Sequence, residues 1–243
     1  MVTNKQLEYA AFSAWPALEQ IEDKGIVLRC AQGHTKRANS ANLLELQDSE
    51  YPALIAYIEN YFKQKQQPSV IRIPSFTENN AFDKYLNSIG YQYQDKSLVL
   101  ARRLLPNDCS PVNLIVKSPS QWMQSYCNII NSSISEQQSH LQILTRIKDP
   151  IMPVVLQRDG REVACGLAVL HREFIGIFDL QIAAEYRGQG CAFQLVNALL
   201  QWGRENGASY SYLQVVANNV AAINLYRKLG FEQRYYYWYR VQS

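Results

Sequence analysis

Between Val154 and Val241 the apolar residues switch repeatedly between a period of two and a period of about 3.6. That alternation restricts the fold more than any other feature of the 243-residue chain. Val154 to Gln157 is a short apolar run, and Asp159-Gly160 after it carries a hairpin-turn signal. Arg161 to Leu170 and Phe174 to Ile182 follow as strands, then a polar loop from Ala183 to Gly190. Phe193, Leu195, Val196, Leu199, Leu200 and Trp202 predict a helix over 192–205, which Asn206-Gly207 closes. A strand at Tyr210–Val216, a helix over 219–228 stopped by Gly230, and an aromatic strand at Phe231–Val241 complete the series. Upstream, 121–131 and 136–148 read as helices. Helices, a strand meander and then β-loop-α-β-α-β form an α/β layer pattern.

The segment Leu105-Pro106-Asn107-Asp108-Cys109-Ser110-Pro111 reads as a linker, because two prolines bracket polar residues. It divides the chain into residues 1–106 and 111–243. The first half repeats the ending of the second at a register difference of 140, the distance from Gly90 to Gly230. In that register Ala53–Gln64 falls on the 193–204 helix and Val70–Ile73 on the strand from Tyr210. Asn79 falls on Asn219 and Tyr91 on Phe231. The first copy lacks the glycine loop: positions 187, 190 and 192 correspond to Gln47, Glu50 and Pro52.

Apolar residues are 47% and charged residues 19%, a globular composition. A net charge of +3 is too mild for a protein whose main partner is nucleic acid. No apolar run reaches the roughly 18 residues of a membrane-spanning helix. The N-terminus lacks a secretory apolar core. Five widely spaced cysteines without a C-x-x-C pair argue for a reducing compartment, so the expectation is cytoplasmic. His34, His140 and His171 are far apart in sequence; no metal is called for, and none of the three is assigned a role.

Arg187-Gly188-Gln189-Gly190-Cys191-Ala192 sits between a predicted strand and a predicted helix. Small residues there let successive N–H groups converge at a helix N-terminus, a nest suited to phosphate or pyrophosphate. The string is neither G-x-G-x-x-G nor G-x-x-x-x-G-K-[ST], so dinucleotide and ATP readings are disfavoured. Asn219 is suited to cap the next helix, and Tyr226 lies about two turns later on the same face. Tyr235-Tyr236-Tyr237-Trp238-Tyr239 reads as a strand with aromatics on both faces.

Together these segments resemble the GNAT superfamily of acyl-CoA-dependent N-acyltransferases. Arg187, Gly190 and Ala192 match its [QR]-x-x-G-x-[GA] motif, and Asn219…Ala222…Leu225-Tyr226…Leu229-Gly230-Phe231 matches its second motif at the expected separation. Trp15-Pro16-Ala17-Leu18-Glu19 and Gly33-His34-Thr35-Lys36-Arg37-Ala38-Asn39-Ser40 resemble a segment of two-domain bacterial members. In those members a degenerate half precedes the active one. The implied fold is a mixed, mostly antiparallel sheet flanked by helices: a degenerate GNAT-like domain at 1–106 and a catalytic domain at 111–243.

The resemblance implies direct acetyl transfer from acetyl-CoA to a primary amine. The co-substrate is expected between the 174–182 and 210–216 strands, with its pyrophosphate on the amides of Arg187, Gly188, Gln189, Gly190, Cys191 and Ala192. Backbone groups of Leu180, Gln181 and Ile182 pair with the pantetheine, Asn219 holds that arm, and Tyr226 protonates the leaving thiolate. A lysine-like amine of pKa ~10.4 is neutral at pH 7 in only about one molecule in 2,500, so a base or water chain has to take its proton. Where ribosomal-protein acetyltransferases carry a glutamate base, this chain has Gln214. Asp179 is the nearest other carboxylate, Glu173 the next, and a water chain competes with both.

The acceptor expected is a small-molecule amine, in a monomer or homodimer. A non-catalytic acyl-CoA sensor and a protein N-terminal or lysine acetyltransferase stay open as alternatives.

Overall fold

A computed structural model describes residues 2–23, 25–45, 50–77, 79–106, 112 and 114–242. Residues 107–111 of the linker and Gln47 lie outside the described residues. In the first half, α1 (Asn4–Ala14) leads into β1 (Glu19–Asp23), β2 (Ile26–Cys30) and β3 (Ser40–Leu43). Then come α2 (Tyr51–Gln64), β4 (Val70–Pro74), α3 (Asn80–Ser88) and β5 (Gln92–Arg103). The second half holds β6 (Ile115–Val116), α4 (Pro119–Ile130), α5 (Gln138–Arg146), β7 (Ile151–Arg158), β8 (Arg161–His171) and β9 (Phe174–Ile182). It ends with α6 (Cys191–Glu205), β10 (Tyr210–Val216), α7 (Val220–Lys228) and β11 (Glu232–Val241).

The local chemistry explains the boundaries. Asp159 and Gly160 both have positive φ, 50° and 75°, which matches the right-handed twist of the β7–β8 hairpin. Ser118 opens α4 with a reciprocal capping box to Gln121, and Pro119 occupies the first turn, where no N–H is needed. Gly207, at φ 92°, releases the chain after α6.

The described strands form one eleven-stranded sheet in the order β1-β2-β3-β4-β11-β5-β10-β9-β8-β7-β6. The sheet is antiparallel except where β3 meets β4 and β9 meets β10. At its centre each half donates its last strand to the other. β5 pairs with β10, while β11 pairs with β4, and β5 and β11 pair with each other. Elements 140 residues apart therefore occupy equivalent places on either side of the β5–β11 junction: α2 and α6, β4 and β10, α3 and α7.

Three apolar layers cover this sheet. Helices α1, α4 and α5 bury Leu7, Trp15, Trp122, Met123 and Ile143 against one face, over Tyr212, Tyr235, Tyr237 and Tyr239. Helices α6 and α7 cover the opposite face of the second half, and α2 and α3 do so in the first. The aromatic tract thus serves both faces, with Trp238 packed against the α2–α3 layer. No described helix is long and apolar enough to cross a membrane.

Candidate active site

Parallel pairing of β9 with β10 runs only from Tyr210↔Phe174 to Leu213↔Ile177. Beyond that point β10 continues alongside β5 and β9 alongside β8, so the two strands separate. Gln181 and Ile182 pair with Cys165 and Ala164 of β8, and have no partner on the β10 side. Leu180, Gln181 and Ile182 are all partly exposed. A strand edge of this kind offers its backbone groups to an extended ligand.

The separation starts at a β-bulge. Cys165↔Gln181 is followed by Leu167↔Phe178, so Asp179 and Leu180 together oppose Gly166. Asp179 takes φ 49°, a left-handed conformation that aspartate tolerates better than most residues. The displaced ladder is compensated from α4: Trp122 donates from Nε1 to the carbonyls of Gly166 and Val154, each at 3.1 Å.

At the next turn Gly188 and Gly190 adopt φ 74° and 80°, and a Cβ at either would meet open space. Gly190 is the N-cap of α6, with no side chain occupying the helix-end amides. Arg187 is exposed and donates to the Ile182 carbonyl at 3.3 Å. Arg158 of β7 donates to Gln189 Oε1 and O, both at 3.2 Å, bringing a second cation to the loop. Cys191 is buried in the layer under α6 and Ala192 is half-buried. An open nest of N–H groups flanked by two arginines fits a pyrophosphate. At the matching positions of the first half, Glu50 is at φ −62° and Pro52 enters the first turn of α2, so neither repeats the positive φ of Gly190.

Asn219 is exposed and caps α7, accepting at Oδ1 from Ala222 N at 3.1 Å. Its amide NH2 makes no hydrogen bond among the described residues. Tyr226 projects from the same helix, 8% exposed, against Phe231. Burial pushes its phenol up to about 12, so it keeps its proton through the neutral range.

On the opposite face of the bulge stands a cluster that sequence spacing did not reveal. His140 of α5, fully buried, donates from Nε2 to Asp179 Oδ2 at 2.9 Å. His34, from the loop after β2, stacks on His140 with centroids 4.7 Å apart. Trp15 packs against Phe178, His140 and His34, and the Arg37 guanidinium lies 5.4 Å from the Trp15 ring centre. Asn39 shapes the His34 loop by accepting from Ala31 and Gly33 N–H and donating to the carbonyls of His34 and Thr35. Burial, and then His140, push the His34 imidazole down to about 4.

Gln214 accepts from the Tyr237 hydroxyl at 2.7 Å, a structural bond. Glu173 lies at the far end of β9, where its carbonyl accepts from Ser209 and Tyr210 N–H. Among the described residues no group of three or more His, Cys, Asp or Glu is arranged to hold a metal ion.

A splayed pair of parallel strands, a bulge and an anion nest at the following helix define a GNAT-type N-acetyltransferase. The chain belongs to the family described as "Probable histone acetyltransferase Rv0428c C-terminal", which matches residues 3–240. It is similar to "Uncharacterized N-acetyltransferase YobR" of Bacillus subtilis, 24% identical over 247 residues, covering 98% of both chains. A GCN5-related N-acetyltransferase from Kribbella flavida shares the fold at TM-score 0.74 and 16% identity, covering 100% of this chain and 96% of that one. A tandem GNAT protein from the clavulanic acid biosynthesis pathway shares it at TM-score 0.64 and 11% identity, covering 97% and 87%.

Proposed function

We propose that this enzyme moves the acetyl group of acetyl-CoA directly to the primary amine of a small molecule. The observation that carries the reading is the pairing of Asp179 with His140 at the point where β9 leaves β10. A carboxylate, its positioning partner and an open backbone edge meet there.

Acetyl-CoA, when bound, supplies an activated acyl group as a thioester. Amides of residues 187–192, with Arg187 and Arg158, hold its pyrophosphate, while Leu180, Gln181 and Ile182 align its arm along β9 and Asn219 holds it from α7. The same backbone edge polarises the reacting carbonyl. Asp179 takes a proton from the amine as the new C–N bond forms, and His140 keeps the carboxylate oriented. Tyr226 gives its proton to sulfur as the C–S bond breaks, and solvent restores both groups. No covalent enzyme intermediate is needed, which agrees with the burial of Cys191.

The first half acts as a degenerate copy that closes the acceptor side. His34 packs on His140, and Gln32 accepts from Ser139 Oγ at 3.2 Å. That cover favours a small acceptor over a folded protein surface. The four described cysteines are free and buried, in keeping with a reducing, cytoplasmic setting.

Thermal unfolding with acetyl-CoA and with desulfo-CoA tests the co-substrate. Ligand at 100 times its Kd adds about 2.7 kcal/mol to the native state, a rise of a few degrees at this size. A clear rise, followed by amine-dependent thiol release, supports the reading; no rise at millimolar ligand overturns it.

A further inference from the structure

A second site lies behind the Asp179–His140 pair, between α1 and the central strands. A cavity there has room for about one water molecule, lined by Glu8, Trp15, Arg29, Arg37, Arg72 and Gln214. Its charges do not balance. Glu8 is fully buried and satisfied by Arg72, at 2.7 and 2.9 Å, and by the Tyr235 hydroxyl at 2.6 Å. Arg29 is equally buried and has no carboxylate partner among the described residues: its terminal nitrogens donate to the carbonyls of Arg37, Phe12 and Trp15. Burial and then the Arg72 charge push it down to about 9.

Three of the lining residues each carry a buried N–H without an acceptor: Nε of Arg29, Nε of Arg72 and Nε1 of Trp15. Unpaired buried donors are costly, and the Arg29 charge is met only by carbonyls and the Phe12 ring, 4.6 Å from its guanidinium, so a negative acceptor offsets both deficits. A water molecule would serve the donors and leave the charge. Arg37 and Gln214 are partly exposed and mark the side from which the cavity is entered.

We propose that this cavity is a specific site for one small anionic acceptor, held by the N–H groups of Arg29, Arg72 and Trp15 with Arg37 at its entrance. Two sources share that chemistry: a halide from solution, or a carboxylate oxygen of the amine substrate. Since Trp15 also packs on His140, either one would steady the residues around Asp179. The halide source stands without the proposed function, whereas the substrate source rests on it, and the thermal shift with acetyl-CoA reports that reading separately.

The test is thermal unfolding of the whole protein in sodium bromide against sodium methanesulfonate at constant ionic strength, with an anomalous difference map from bromide-soaked crystals. A saturable, bromide-specific rise in Tm is expected, with a bromide peak within hydrogen-bond distance of Arg29 and Trp15. Trp15→Phe should weaken bromide about tenfold by removing one donor to a charged acceptor, and Arg29→Met should abolish the response. The wild-type map decides the matter even where a variant fails to fold. Competition by acetate and glycine, with none by methylamine, identifies the substrate carboxylate as the occupant; lack of competition identifies a halide. A cavity holding only water, with no bromide-specific rise in Tm, overturns the proposal.

Discussion

His34 of the first half stacks on His140 of the second, ring centroids 4.7 Å apart and planes inclined by 17°. This contact ties a loop after β2 to the helix that positions Asp179. Burial of His34, and then His140 beside it, make the fold sensitive to acid. His34 is depressed from 6.5 to about 4, so between those values the unfolded chain binds the proton more readily than the native one. Its contribution to stability is complete above pH 6.5 and is lost as pH falls through 4. Tm measured against pH should fall across that window, and His34→Gln should flatten the fall.

Asp179→Asn should retain the fold, because asparagine tolerates the same φ of 49°. If Asp179 is the base, kcat drops by about 10²–10⁴ with little change in acetyl-CoA affinity. His140→Gln should lower kcat less and displace the pH profile of kcat, the signature of a positioning residue. Unchanged turnover in Asp179→Asn would leave the proton to a water chain.

Tyr226→Phe removes a single hydroxyl that has no protein hydrogen-bond partner among the described residues. Stability should therefore hold to within about 0.5 kcal/mol, while kcat falls by about 10²-fold or more. Retained CoA binding with lost turnover separates an acid from a structural tyrosine.

Arg158→Ala should raise the Kd for CoA by about tenfold through loss of a charge-assisted contact, and leave that for dephosphorylated pantetheine unchanged. Calorimetric titration of the two ligands makes the comparison. Equal effects on both would remove Arg158 from the pyrophosphate site.

Fragments 1–106 and 111–243 should each fail to fold alone and assemble when co-expressed. Without β5, strand β10 loses seven residue pairings, Tyr210↔Arg103 to Val216↔Ser97. Without β11, strand β4 loses the run from Tyr237↔Pro74 to Val241↔Val70. Circular dichroism of each piece and of the mixture reports the outcome. Two independently folded fragments would mean that the exchanged strands add little stability.

Much of the fold is legible in the order of residues because periodicity is a local property. The strands at 161–170, 174–182 and 210–216 and the helix at 192–205 fall where the spacing predicts, to within a residue. The glycine loop and the Asn219 cap were legible for the same reason, since a turn's φ angles and a helix end depend on neighbours in sequence. The register of 140 also emerged from Gly90 and Gly230 together with element order.

Partners were not legible. Strands β5 and β11 both end their halves, and nothing in either dictates that it should cross to the other; only the completed sheet selects the pairing that leaves β4 and β10 each covered. His140 and Asp179 are 39 residues apart, and Arg158 and Gln189 are 31 apart. Each pair meets because a bulge or a hairpin turns a side chain toward an element that packing brings near. Local spacing determined the elements and the glycine loop. Burial decided the rest: which charges are compensated, which histidine keeps its proton off, and where Arg29 is left without a carboxylate partner among the described residues.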